Sequence, residues 1–88
     1  MATVFVISEE NHGIIGIAAT RRASLVYLLE SHWVDEDADI WWNPETHEYN
    51  QLKDLYGDNW RDVFLNFTNE DLENMGFSLR EKELYTKE

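Results

Sequence analysis

The apolar positions of this chain fall into short runs separated by polar turns, and the spacing within each run predicts an element. Thr3-Val-Phe-Val-Ile-Ser8 is β-branched and aromatic, the composition of a strand. Glu9–Gly13 is polar and closes on glycine, which predicts a turn, and Ile14–Ala19 is a second apolar run. Together they read as a β-hairpin, and Gly16 inside its second strand points to a bulge or a close backbone approach. Thr20 then offers its hydroxyl as a helix N-cap. Leu25, Leu28, Leu29 and the pair His32/Trp33 recur at i, i+3, i+4 and i+7/i+8. That spacing predicts a helix of about three turns packed on the hairpin and ending near Trp33.

Residues 40–49 read in two ways. As a hairpin, Asn43-Pro44-Glu45-Thr46 forms a type I turn, with His47 taking the left-handed step. As a helix, Asn43 caps, Pro44 opens the first turn, Gly57 stops it, and Tyr49, Leu52 and Tyr56 share a face. The strand-forming Ile40-Trp41-Trp42 favours the hairpin, followed by a short helix from Gln51 to Tyr56. Asp58 is placed to cap the next helix, whose stripe Trp60, Val63, Phe64, Phe67 is the cleanest helical spacing in the chain. Thr68-Asn-Glu-Asp71 resembles a capping box ahead of Leu72 and Met75, and Gly76 closes that turn. The segment Phe77–Tyr85 alternates the sign of its charges and predicts a final edge strand guarded by Lys82 and its neighbouring glutamates. A terminal helix is the alternative.

These elements predict an α+β fold, a small antiparallel sheet with two to three helices, as a single domain over residues 1–88. The Leu25–Leu29 helix covers one face of the sheet and the Trp60–Phe67 helix adds to the core. At 88 residues there is no room for a second domain of ordinary size, and the core is modest.

Charge changes the picture more than composition does. The chain carries 18 Asp and Glu against 7 Lys and Arg, a formal charge of −11. Residues 1–29 and 76–88 are each neutral, and residues 30–75 hold thirteen acids against Lys53 and Arg61. All four tryptophans, Trp33, Trp41, Trp42 and Trp60, lie in that acidic middle. Such a chain is a poor ligand for nucleic acid or an anionic membrane. The aromatic content argues against disorder. Zero cysteines exclude disulfides, thiolate zinc sites and a cysteine nucleophile, and they fit a reducing, cytoplasmic setting. The run Val4–Ile7 lacks a basic flank and reads as neither a signal peptide nor a membrane span.

Candidate chemistry is sparse. Asp35, Asp37 and Asp39 have the 1, 3, 5 spacing of a calcium loop. Ile40 stands where that loop needs its turn glycine, and Thr46 where it needs a bidentate glutamate. A solvated acidic loop is the simpler reading. His12, His32 and His47 are far apart and form no zinc-binding pair. No serine has a nucleophile-elbow context, no glycine-rich loop cradles phosphate, and the acid pairs lack the cleft a glycosidase needs. No enzyme activity, cofactor or metal is therefore expected. Trp60 and Trp33 belong to apolar faces. Trp41 and Trp42 are consecutive, so on a strand they point to opposite sides, and one of them is either an interface anchor or buried by a second layer.

The layout of Thr3–Trp33, a hairpin followed by Thr20-Arg21-Arg22-Ala23 and a helix, resembles that of small phage and mobile-element proteins. The acidity is similar to that of DNA-mimic inhibitors of anti-CRISPR and anti-restriction type. This resemblance rests on layout and charge, and it implies an acidic surface that occupies the nucleic-acid groove of a basic protein. The Trp41-Trp42-Asn43-Pro44 segment also resembles a WW-domain turn, but the second spaced tryptophan and the three-strand pattern are missing.

The expected function is a non-catalytic protein-binding module, with a phage-type inhibitor as its sharp form. The expected partner is a basic, nucleic-acid-binding host protein, bound through Asp35, Glu36, Asp37, Asp39 and Trp42. The alternative is a structural or assembly protein that forms homo-oligomers through exposed aromatics.

Overall fold

The computed structural model describes residues 3–43, 45 and 48–83, leaving aside the side chains of residues 41–43 and 48. Strands β1 (Thr3–Glu9) and β2 (Gly13–Ala18) form the expected hairpin. The polar turn between them works because Gly13 takes a φ of 74° and the Glu9 carboxylate accepts from the Asn11 N–H. The register of β1 against β2 slips between Ile7 and Ser8, so Ile15 is the extra residue of a bulge. The last strand, β5 (Phe77–Glu83), pairs antiparallel with the whole of β1, giving the order β2-β1-β5. A second, two-stranded antiparallel sheet joins β3 (Asp39–Asn43) to β4 (Glu48–Gln51). Residues 40–43 and 48–49 therefore lie in a strand pair rather than a helix. The Pro44 turn and the left-handed step at His47 lie outside the described residues.

Helix α1 (Arg21–Glu30) starts where the Thr20 hydroxyl accepts from the Ala23 N–H. It lays Leu25 and Leu28 against the inner face of the three-stranded sheet, where Ile7 is fully buried. Ser24 is buried on the same side. Its hydroxyl avoids a desolvation cost by donating back to the Thr20 carbonyl at 2.9 Å. The helix stops through His32, whose φ of 60° is the left-handed conformation that glycine normally fills. An L side chain there costs about 1–2 kcal/mol. Replacing exposed His32 by glycine is expected to stabilise the fold by ~0.5–1 kcal/mol, read as a melting point several degrees higher. A lower melting point would mean that the His32 side chain contributes contacts worth more than the strain.

Helix α2 (Leu52–Tyr56), a 3-10 turn (Gly57–Asn59) and helix α3 (Trp60–Phe64) make one bent helical segment. Two expectations are corrected here. Asp58 lies inside the 3-10 turn, and the N-cap of α3 is Asn59, which makes no side-chain capping bond. The helix also ends at Phe64 instead of Phe67. The Phe67 N–H bonds the Phe64 carbonyl in a tight turn that still aims Phe67 inward. Helix α4 (Asn69–Asn74) opens with a complete capping box, Thr68 hydroxyl to the Asp71 N–H and Asp71 carboxylate to the Thr68 N–H. Leu72, Phe64, Leu52 and Trp60 meet Ile7, Leu25 and Leu28 in one hydrophobic core.

Candidate functional site

The acidic stretch after α1 is held at both ends by the core. Val34, 1 % exposed, donates its N–H back to the Leu28 carbonyl at 3.0 Å. Ile40, 5 % exposed, fixes the start of β3. Between them a turn closes from the Ala38 N–H to the Asp35 carbonyl, and the Asp35 carboxylate accepts from the Asp37 N–H at 3.0 Å. The N-terminus of α2 is tied to the loop by main-chain bonds, Leu52 N–H to Ala38 O and Lys53 N–H to Glu36 O. The loop thus has a fixed backbone although it lies on the surface.

Its side chains point outward. Asp35, Glu36, Asp37 and Asp39 are all exposed, as are Glu30, Asp54, Asp58, Asp62, Glu70 and Glu73 elsewhere in the acidic middle. Lys53 Nζ pairs there with Glu36 Oε2 at 3.5 Å, with both groups half exposed. A pair of this kind contributes little to stability. Arg61, the other base of residues 30–75, lies over the Trp60 ring at 4.6 Å, a cation–π geometry. Glu30 is the last residue of α1, at the negative end of the helix dipole, where an acid is disfavoured. Asp54, Asp58 and Asp62 sit on α2, the 3-10 turn and α3 in turn, so no single α-helix aligns them. Asp71 spends its carboxylate on the capping box. With burial, its charge also holds the Tyr56 phenol above the ordinary range.

Of the five residues expected to carry binding, three lie in this loop, Asp39 opens β3 directly after it, and Trp42 sits three positions further along β3; the Trp42 side chain lies outside the described residues. A different aromatic stands beside the loop. A shallow depression is lined by Asp39 and Ala38 together with Trp33, His12, Glu9, Met75 and Phe77. The His12 ring meets Trp33 edge-on at 5.1 Å between centroids. His12 Nδ1 also contacts the Glu9 carboxylate. That hydrogen bond is the main reason the Glu9 carboxyl is held below the usual glutamate range, against desolvation and helped by the Asn11 N–H. Glu9 and His12 come from the hairpin turn, far from residue 39 in sequence. Only the apolar spacing that put Trp33 at the end of the first helix hinted at this grouping.

Among the described residues no three of His, Cys, Asp and Glu converge as metal ligands, and no helix is long and apolar enough to cross a membrane. The depressions on the surface are open and shallow. The one between α3 and α4 is lined by Tyr56, Asp62, Val63, Asn66, Phe67 and Asp71. These features give a fixed, strongly anionic surface with an aromatic at its border. Comparison of the chain with protein-family models, with curated proteins and with solved structures returns no match.

Proposed function

We propose that this protein is a non-catalytic binding module whose acidic middle segment engages a basic, nucleic-acid-binding protein, in the manner of a phage-type inhibitor. One observation carries the reading. The carboxylates of Asp35, Glu36 and Asp37 on a loop, and of Asp39 at the start of β3, stand exposed on a backbone locked into the core at Val34 and Ile40. Like charges at this density repel one another and cost stability. A cationic groove would relieve that repulsion, and the loop would lose little conformational entropy on docking. Such binding is steered by charge and weakened by salt. Asp39 borders the Trp33 depression, which gives a cationic partner an apolar contact next to its charge contacts.

The test begins with the immobilised protein and a host lysate. The expected result is a basic protein retained at low salt, released at high salt and displaced by DNA or RNA. With that protein in hand, Asp35, Glu36 and Asp37 are changed together to lysine. The variant loses the Asp35 carboxylate's bond to the Asp37 N–H and the Glu36–Lys53 pair, so the stability should fall by about 1–2 kcal/mol, while the dissociation constant, measured well below the melting point, rises by about a hundredfold or more. An unchanged constant at moderate salt would remove the loop from the interface. Retention of generic basic proteins alone, none displaced by nucleic acid, would mean that the charge serves solubility.

A further inference from the structure

The depression beside the acidic loop has a volume of about 240 Å³. That is below the ~300–1,000 Å³ of sites for whole small-molecule ligands, and it suits a single long side chain. Its lining divides by chemistry. Ala38, Met75 and Phe77 are apolar, and Trp33 is only half-buried, so part of the indole stays open to a visitor. Glu9 and Asp39 bring two carboxylates from distant segments, and no Lys or Arg is among the lining residues. The Glu9 carboxylate is fixed in place, accepting from the Asn11 N–H at 3.1 Å and contacting His12 Nδ1. The His12 ring in turn braces Trp33 edge-on.

We infer that this depression is a socket for one arginine side chain of the basic partner, its guanidinium lying against the Trp33 indole and pairing with the Asp39 carboxylate. The inference rests on the binding function proposed above and names the residue type that the site reads.

Charge complementarity selects the occupant. An apolar side chain seated here would strip water from two carboxylates and return nothing for it, and an acidic one would be repelled. A cation remains, and arginine fits better than lysine. Its planar guanidinium is weakly hydrated and stacks on an aromatic ring while its donors still point outward in the plane. With five N–H donors it can fork to Asp39 and keep one for Glu9. A lysine ammonium is a strongly hydrated point charge that gives up water to meet the ring. The arginine stem would cover Met75 and Phe77. The molecule already makes the same pairing within itself, with Arg61 over the Trp60 ring at 4.6 Å. Asp35, Glu36 and Asp37, by contrast, stand exposed and attract either cation. The loop therefore supplies attraction, and the socket supplies the choice between arginine and lysine.

Titration of the full chain with capped hexa-arginine and hexa-lysine peptides at low salt, followed by calorimetry, tests this. The two probes carry equal charge. The expected result is that the arginine peptide binds about fivefold more tightly. Trp33→Leu and Asp39→Asn should each reduce that preference to less than about twofold. The Asp35, Glu36 and Asp37 lysine variant should bind both peptides more weakly and keep the preference. Melting curves check that each variant is folded; Asp39 is exposed, so Asp39→Asn decides the matter if Trp33→Leu does not fold. Equal affinity for the two peptides, or a preference that survives Trp33→Leu or Asp39→Asn, would overturn the socket and leave binding by charge intact. Failure of both peptides to bind the parent chain would overturn the socket and the acidic binding surface together.

Discussion

Phe64→Ala is expected to remove about 3–5 kcal/mol of stability, the largest loss from any single truncation discussed here. Phe64 has no exposed surface, and its ring packs at 5.2 Å from that of Phe67. It sits at the end of α3, where the chain turns toward α4. An 88-residue domain has roughly 4–13 kcal/mol in total. The variant should therefore melt well over ten degrees lower, or be partly unfolded at room temperature. Urea titration followed by tryptophan fluorescence gives the number, since Trp60 lies in the same core. A loss below about 1 kcal/mol would mean that the segment from α3 to α4 is not part of the cooperative core.

Gly16→Val should be destabilising by about 2–4 kcal/mol, although strand propensity alone argues for the opposite sign. A Cβ built on Gly16 would stand 2.7 Å from Tyr27 Cε1 and 2.9 Å from Cζ. The ring cannot retreat freely, because the Tyr27 hydroxyl donates to the Ile15 carbonyl at 2.7 Å. Valine would have to push α1 off the sheet or break that bond. Shortening the obstacle should rescue the variant, so Gly16→Val with Tyr27→Leu is expected to be more stable than Gly16→Val alone. If the single change raises the melting point instead, the Tyr27 ring yields easily and its approach to Gly16 does not limit the packing of α1 on the sheet.

Features set by neighbours in sequence could be read without coordinates. The Thr20 cap, the Thr68/Asp71 box and the stop at Gly57 each depend on a few consecutive residues. The Gly16 approach was half legible. Glycine in a strand announces a bulge or a contact, but only the fold reveals that Tyr27 is the contact and that both features occur together. Asp58 misled because an acid ahead of an apolar stripe looks like a cap whether or not a 3-10 turn intervenes. The stripe through Phe67 misled for a related reason. A helix that gives way to a tight turn keeps the next side chain pointing inward, so spacing alone could not show where α3 ends. The division into two sheets depends on pairing β5 with β1 across the length of the chain, and no local signal carries that.

The candidate surface divides in the same way. Exposure of Asp35, Glu36, Asp37 and Asp39 followed from their polarity. Their fixed placement comes from Val34, whose burial was not foreseen because it stands alone between a helix end and an acidic run. The grouping of Glu9 and His12 with Trp33 and Asp39 needed the hairpin turn to fold over the end of α1, a contact between distant segments.

The separation of charge on this molecule gives it a direction. Carboxylates crowd residues 30–75, while Arg80 and Lys82 stand exposed on β5. A body charged in this lopsided way experiences a torque, not only a pull, as it nears a cationic groove. It would turn its acidic side forward and its sheet away while still separated by a few water layers. Fewer collisions would then be wasted on wrong orientations, so if the proposed basic partner binds, added salt should slow its arrival more than it hastens departure.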